Sequence, residues 1–218
     1  MSAWETPLSL NETTRAYFER LAAISPPDRA ARYPALLNAK HPASVERYLA
    51  ANEPQRYSML RTSVSPTIIK GGFQANVIPS EAEATLDIRM TPGADAGKFF
   101  EAMAKIIDDP SVKIVPSTAK RPAGPPCGLN TDMFRALEAV SNRMYPDAAT
   151  LPMMMTGATD MAELRAKGMQ CYGVGPESTD VEFAAHGWHS DVERATASSI
   201  YKLAEFTWNA VMEVAMPK

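Results

Sequence analysis

The first sixty residues carry apolar positions at helical spacing. The capping-box pattern from Ser9 to Glu12 predicts a helix N-terminus. Behind it the large apolar residues recur three and four positions apart, at Tyr17, Phe18, Leu21 and Ala22. Pro26-Pro27 ends this helix, and two more short helices are predicted over 30–37 and 44–51, each bounded by a proline. This region is therefore expected to consist of short helices.

From residue 63 the spacing changes to that of β-strands. Residues 63–70 are rich in branched side chains, Gly71-Gly72 is a turn signal, and 81–90 alternate strictly. One face of the second strand is apolar, with Ala82, Ala84, Leu86 and Ile88. The other face is polar, with Glu81, Glu83, Thr85, Asp87 and Arg89. The alternation predicts a sheet with one buried and one solvent-facing side.

A helix and a further strand follow this hairpin. Residues 94–108 are amphipathic, and the side chains expected to face inward are Phe99, Met103, Ile106 and Ile107. Residues 112–115 predict another short strand. The order strand, strand, helix, strand predicts an α+β sandwich layer.

Residues 120–128, which hold three prolines and two glycines, predict a linker. We therefore divide the chain into domains 1–118 and 119–218. In the second domain three helices are predicted, one of them over 160–167. An earlier helix has the inward residues Met133, Leu137, Val140 and Met144. The last helix has the inward residues Ile200, Leu203, Phe206, Ala210 and Val214. The apolar runs 151–155 and 171–174 alternate with them. This alternation predicts a layered α/β fold.

Composition narrows the class of protein. Apolar residues make up 45% and charged residues 22% of the 218 positions, which indicates a folded chain with a real core. The net charge of -3 and the lack of basic runs argue against a nucleic-acid partner. No run approaches the roughly 18 apolar residues of a membrane span, and no signal peptide is visible, so the compartment stays open. Cys127 and Cys171 are expected to be thiols or small buried residues.

The segment from His186 to Arg194 holds two imidazoles and two acids in nine residues. Imidazole is a common zinc ligand, and a nearby carboxylate can orient it. Outside this segment the sequence contains no His-x-Asp, HExxH or CxxC motif that could complete a metal site, and His41 lies far away in the sequence. From spacing alone, a polar loop with surface histidines is the simpler interpretation.

Gly71 to Pro79, with Asn76-Val77-Ile78-Pro79, followed by Asp87-Ile88-Arg89, resembles the lid-domain signature of the dinuclear-zinc aminoacylase and carboxypeptidase family. That family includes glutamate carboxypeptidase, acetylornithine deacetylase and succinyl-diaminopimelate desuccinylase. Residues 156–160 resemble its glycine-threonine-aspartate turn near the substrate. Residues 189–194 resemble its last metal-ligand segment, where a histidine precedes a glutamate by four positions.

The resemblance covers residues 60–214 and implies an α/β fold: a lid domain that pairs two subunits, with a helical insertion at its start, and the carboxy-terminal half of a layered zinc-hydrolase domain. It implies a hydrolase of amide or peptide bonds beside a free carboxylate, with two zinc ions in a complete site. His189 would be a metal ligand, although His186 stays an alternative. Asn76 and Arg89 would reach from the lid of the neighbouring subunit toward a substrate carboxylate or oxyanion, and Arg121 and Thr159 would also contact substrate.

The family's other metal ligands, its general base and its lid histidine have no counterpart in the sequence. The resemblance therefore implies a chain that lacks the amino-terminal part of the family fold, including the first lid strand, and that contains no catalytic base. The alternative function is a dimerising fragment that is inactive in isolation. Judged without the resemblance, Asn76 is a turn residue, Arg89 a solvated strand residue, and Thr159 with Asp160 a helix cap.

Overall fold

The computed structural model describes residues 4–38, 43–117, 126–177, 187 and 189–216, and within them helix and sheet both occur. They form two compact units: Met1–Pro126 with Pro152–Lys167, and Cys127–Leu151 with Gly168–Lys218. The predicted boundary between residues 118 and 119 lies outside the described residues. The division into 1–118 and 119–218 therefore stays a prediction.

Short helices begin the first unit, as the prolines predicted. They are α1 (Glu12–Ile24), α2 (Pro27–Ala30), α3 (Arg32–Leu36), α4 (Ala43–Asn52) and α5 (Pro54–Ser58). The C-cap of α1 is Ser25, directly before the two prolines, as expected. Helix α5 was not predicted because a single turn is too short to show periodicity.

The N-terminus of α1 differs from the predicted capping box. Asn11, not Ser9, is the N-cap: its Oδ1 accepts from the Thr14 N–H at 2.9 Å, and Thr14 Oγ1 accepts from the Asn11 N–H at 3.0 Å. An asparagine with a threonine three residues later makes the same reciprocal pair as the serine and glutamate pattern. Ser9 instead donates its N–H to the Leu60 carbonyl at 2.6 Å.

The helices enclose the core of the first unit. Its most deeply buried side chains include Phe18, Tyr33, Leu36, Leu49 and Leu60. Beside this core the carboxylate of Glu53 is buried and accepts from the Tyr33 hydroxyl and from Arg56 Nη1 at 3.1 and 2.9 Å. Pairing of this kind is what makes a buried carboxylate tolerable.

Two groups of this network have shifted pKa values. Burial, followed by the negative charge of Glu53, raises the pKa of the Tyr33 phenol above 10.0. Burial acts to lower the pKa of Arg56, but hydrogen bonds and charge interactions with Tyr17 and Glu53 outweigh it and raise the pKa. Arg56 Nε donates to the Tyr17 hydroxyl at 3.1 Å. At neutral pH the network therefore combines a protonated Tyr33 with a charged Arg56.

The predicted hairpin is present. Strand β1 (Ser63–Gly71) pairs antiparallel with β2 (Ala82–Arg89), from Ser63 opposite Arg89 to Gly71 opposite Ala82, with an irregularity between Pro66 and Ile68. Gly72 has a φ of 70°, which favours glycine, and it starts the turn against Pro79. The described residues contain these two strands in one sheet.

Most of the hairpin is exposed, which corrects the prediction of a sheet buried along one face. Leu86 and Ile88 on the apolar face of β2 are half-buried, but Ala82 and Ala84 on the same face are exposed. Alternation identifies the apolar face of a strand without identifying what covers it. The hairpin is thus partly covered at the end near Arg89, and the turn at its other end is exposed.

After the hairpin, α6 (Ala96–Ile107) confirms the predicted amphipathic helix. Met103 is buried and Phe99 and Ile107 half-buried, whereas Ile106 is exposed, contrary to expectation. The predicted strand over 112–115 is wrong: these residues are described and belong to no strand. An apolar run becomes a strand only where its backbone finds a partner strand, and the run itself does not reveal one.

Helix α7 (Asp132–Met144) and helix α9 (Ala197–Ala215) form the helical core of the second unit, and α8 (Met161–Ala166) belongs to the first. The apolar runs 151–155 and 171–174 belong to no strand, contrary to the predicted alternation. Of the predicted inward residues of α7, Val140 is buried and the others half-buried, while Phe134 and Ala136 are buried but were missed.

The apolar stripe of α9 is only partly covered. Ala210 is buried and Leu203 and Phe206 half-buried, but Ile200 and Val214, which we predicted as core, are exposed. Helical spacing predicts an apolar face correctly but not its neighbour. Across the described part of the chain, no helix combines the length and apolar character that crossing a bilayer requires.

Candidate functional site

Arg89 is the last residue of β2, and its side chain is half exposed. Nε and Nη2 both lie 3.0 Å from Oδ2 of Asp87, two residues earlier on the same strand face. Nη1 donates to the Thr156 carbonyl oxygen at 3.1 Å. The guanidinium is thus oriented on two sides, and 51% of the side chain remains accessible.

The segment from Thr156 to Asp160 lies beside this strand end and leads into α8. Thr159 is half-buried, and its carbonyl accepts from the Ala162 N–H at 3.2 Å. Asp160 occupies the N-cap position of α8, but its side chain makes no capping hydrogen bond. The structure therefore brings two of the predicted substrate-contact segments together: the end of β2 and the turn that contains Thr159.

Asn76 lies elsewhere, in the turn at the exposed tip of the hairpin. Gly72 and Pro79 meet at the base of this turn, and Asn76 lies between them in the sequence. Strand β2 separates that base from Arg89, and at about 3.4 Å per residue its eight residues span roughly 24 Å. Asn76 and Arg89 of one chain therefore cannot bind the same carboxylate.

His189 is exposed in a loop of the second unit, with a left-handed backbone at φ 59°. Glu193 accepts a hydrogen bond at 3.1 Å, but from the backbone N–H of His189. In the same loop the Ser190 hydroxyl donates a hydrogen bond to the Gly187 carbonyl at 2.8 Å. The carboxylate expected to support the imidazole thus contacts the histidine backbone and helps to hold its left-handed conformation.

The described residues do not fit a complete zinc site. Structural and catalytic zinc sites use three or four protein ligands. Among the residues with described positions, no three histidine, cysteine or acidic side chains are placed to hold one metal ion. His189 is a single predicted ligand, so no reaction step through a metal follows from this chain.

Two predicted site residues, Arg121 and the alternative ligand His186, lie outside the described residues. Two partners of Arg89 were missed at the sequence level. Asp87 was recognisable, because residues two apart on a strand share a face. Thr156 was not, because it contacts Arg89 across 67 positions through its backbone carbonyl.

Residues 19–115 match the family model of the peptidase dimerisation domain, M20_dimer. This segment contains the hairpin, α6 and most of the preceding helices. No solved structure matches the chain significantly.

Two curated proteins are similar to the chain over half of its length. Probable carboxypeptidase S-like 2 of Dictyostelium discoideum is 29% identical over 110 residues, which are 50% of this chain and 21% of that protein. The N-fatty-acyl-amino acid synthase/hydrolase PM20D1 of Homo sapiens is 28% identical over 120 residues, 53% of this chain and 23% of that protein. The matches therefore span under a quarter of each relative. Together with the domain match, they confirm the resemblance to the M20 metallopeptidase family, over its lid or dimerisation portion.

Proposed function

We propose that this chain is the pairing portion of a metal-dependent hydrolase that cleaves an amide or peptide bond beside a free carboxylate. The exposed hairpin carries the proposal. Both of its strands are edges within the described residues, and edge strands readily pair with another chain. Ile69, Phe73 and Ile78 are 79, 88 and 94% exposed. Apolar side chains grouped in this way are typical of an interaction surface.

The occupant of this surface is a second copy of the chain. The match to the dimerisation domain includes the whole hairpin. Pairing of two copies would cover the unpaired strand edges and the apolar turn. In this proposal the α+β lid acts as one layer, and the second unit contributes the later half of a layered α/β hydrolase domain.

The substrate side of the proposal rests on the names of the relatives and on the surroundings of Arg89. One relative is named as a carboxypeptidase and the other as acting on N-acylated amino acids; both names describe substrates with a free carboxylate. A half-exposed guanidinium suits such a group because it can donate two parallel hydrogen bonds. Arg89 and Thr159 are assigned to one substrate region, with Arg121 as a further carboxylate contact.

Asn76 is assigned to a different region. Since it lies at the far end of the hairpin from Arg89, it would contact the substrate held by the other subunit. His189 is assigned as one ligand of a zinc ion whose complete site needs further ligands and a general base. The alternative function is that of a dimerising chain that does not catalyse by itself.

Zinc content after dialysis and hydrolysis of a panel of N-acyl amino acids separate these two functions. Stoichiometric zinc, with turnover that a chelator abolishes and His189→Ala reduces, supports catalysis by this chain. A dimer without bound zinc or turnover supports the dimerising alternative. A single-chain mass in solution contradicts both.

A further inference from the structure

The two cysteines of the chain meet in the second unit, although 44 positions separate them. Cys127 Sγ accepts a hydrogen bond from the backbone N–H of Cys171 at 3.1 Å. A cysteine spans about 2.8 Å from Cα to Sγ and about 1.5 Å from N to Cα, so this contact limits the Cα separation to about 7.4 Å. Disulfides join Cα atoms about 4.4–6.8 Å apart. The upper limit on the Cα separation therefore lies only slightly beyond the disulfide range.

Neighbouring contacts hold the two segments together without using either sulfur atom. The Tyr172 hydroxyl donates to the Gly128 carbonyl at 2.6 Å and lies 2.6 Å from Thr131 Oγ1. Thr131 Oγ1 accepts from the Phe134 N–H, so its own proton is available for Tyr172. The Phe134 and Tyr172 rings pack with centroids 5.6 Å apart. These contacts fix the approach of Cys171 to Cys127.

Both cysteines lie where the chain enters the second unit. Cys127 is its first residue, and Cys171 follows shortly after Gly168, where the chain returns to this unit. Both residues are half-buried, and neither forms a disulfide in the structure. A bond between them would close a loop that contains α7 and α8.

We propose that Cys127 and Cys171 are a redox-modification site that forms an intramolecular disulfide with a small-molecule disulfide as oxidant. One cysteine thiolate attacks a sulfur of the oxidant, forms a mixed disulfide and releases one small thiol. The other cysteine thiolate then attacks the cysteine sulfur of the mixed disulfide and releases the second small thiol. Two electrons pass to the oxidant, and the two cysteine protons end on the released thiols.

The test uses the full chain in buffers of fixed ratios of reduced to oxidised glutathione. After quenching, remaining thiols are alkylated and counted by intact mass. The sequence contains two cysteines, so an intramolecular disulfide has one possible connectivity. We expect both alkylatable thiols to disappear together. The mass should show no glutathione bound to the chain and no cross-linked chains. The native chain should be half oxidised at a ratio of reduced to oxidised glutathione at least tenfold higher than the same chain in urea, because the fold holds the thiols together.

Cys171→Ser should give only the mixed disulfide at Cys127. Tyr172→Phe should shift the midpoint severalfold toward more oxidising ratios, because it removes the hydroxyl that links the segments. Tyr201→Phe is the matched control, since Tyr201 is an exposed tyrosine on α9, and should leave the midpoint unchanged. For the unsubstituted chain, mixed disulfides as the end product, chains cross-linked to each other, or equal midpoints in the native and urea-unfolded states would overturn the proposal.

Discussion

Arg89 donates a hydrogen bond from Nη1 to the carbonyl oxygen of Thr156 over 3.1 Å. This contact joins the end of the lid hairpin to the turn before α8. It places the family's Asp-x-Arg motif beside its glycine-threonine-aspartate turn, two segments that the resemblance alone assigns to the same substrate. The assignment of Arg89 to a substrate carboxylate rests most directly on this contact.

Arg89→Met tests that assignment. Both Arg89 and Asp87 are half exposed, so the substitution should lower the free energy of unfolding by under about 1 kcal/mol. Loss of a charged hydrogen bond to a substrate carboxylate is worth about 1.5–3 kcal/mol, so kcat/KM in a preparation that hydrolyses N-acyl amino acids should fall tenfold or more. Lys98→Met, an exposed cation on α6, is the control and should change neither quantity. Equal activity in the two variants would remove Arg89 from the substrate site.

Tyr33→Phe tests the buried network around Glu53. It removes one donor to a buried carboxylate, and the free energy of unfolding at pH 7 should fall by about 1–3 kcal/mol. The phenol pKa is raised in the folded chain, so the stability it provides is present below pH 10 and lost as the pH rises through the folded pKa. Urea unfolding at pH 7–11 should therefore show a smaller loss above pH 10 in Tyr33→Phe than in the wild type. Parallel pH curves would show that Tyr33 does not titrate differently on folding.

The sequence predicted features that are set locally and missed those set by distant neighbours. Helix α1 and the hairpin follow from proline positions and from alternation, which act within a few residues. Burial of Ile200 and Val214 was predicted wrongly, because helical spacing does not identify what packs on the face. The Arg89 to Thr156 contact joins residues 67 positions apart through a backbone atom. No local pattern encodes such a contact.

Leu49→Ala tests the helical core of the first unit. Leu49 is fully buried, so removing three heavy atoms should cost about 2–5 kcal/mol of unfolding free energy. Ile24→Ala on α1 is the control, since Ile24 is 55% exposed, and it should cost under about 1 kcal/mol. Chemical denaturation of both variants provides the comparison. Similar costs for the two variants would mean that the helices do not enclose the core described above.

Asp108→Gly tests the end of α6. Asp108 is the C-cap with a φ of 48°, a left-handed conformation that costs a non-glycine residue about 1–2 kcal/mol. Glycine should therefore raise the melting temperature or leave it unchanged. Asp109→Gly, one residue later, should lower it, because Asp109 accepts from the Ser111 N–H and hydroxyl at 2.9 and 2.7 Å. A lower melting temperature for Asp108→Gly would contradict the left-handed cap.

The mass of the chain in solution, measured by light scattering during gel filtration, tests pairing through the hairpin most directly. One chain has a mass of 23.7 kDa. We predict twice that mass for the wild type and for Ile24→Lys, and the single-chain mass for the double variant Ile69→Lys with Ile78→Lys, whose charges would lie in the paired surface. A wild type that stays single at tens of micromolar, or a double variant that still pairs, would contradict the proposal.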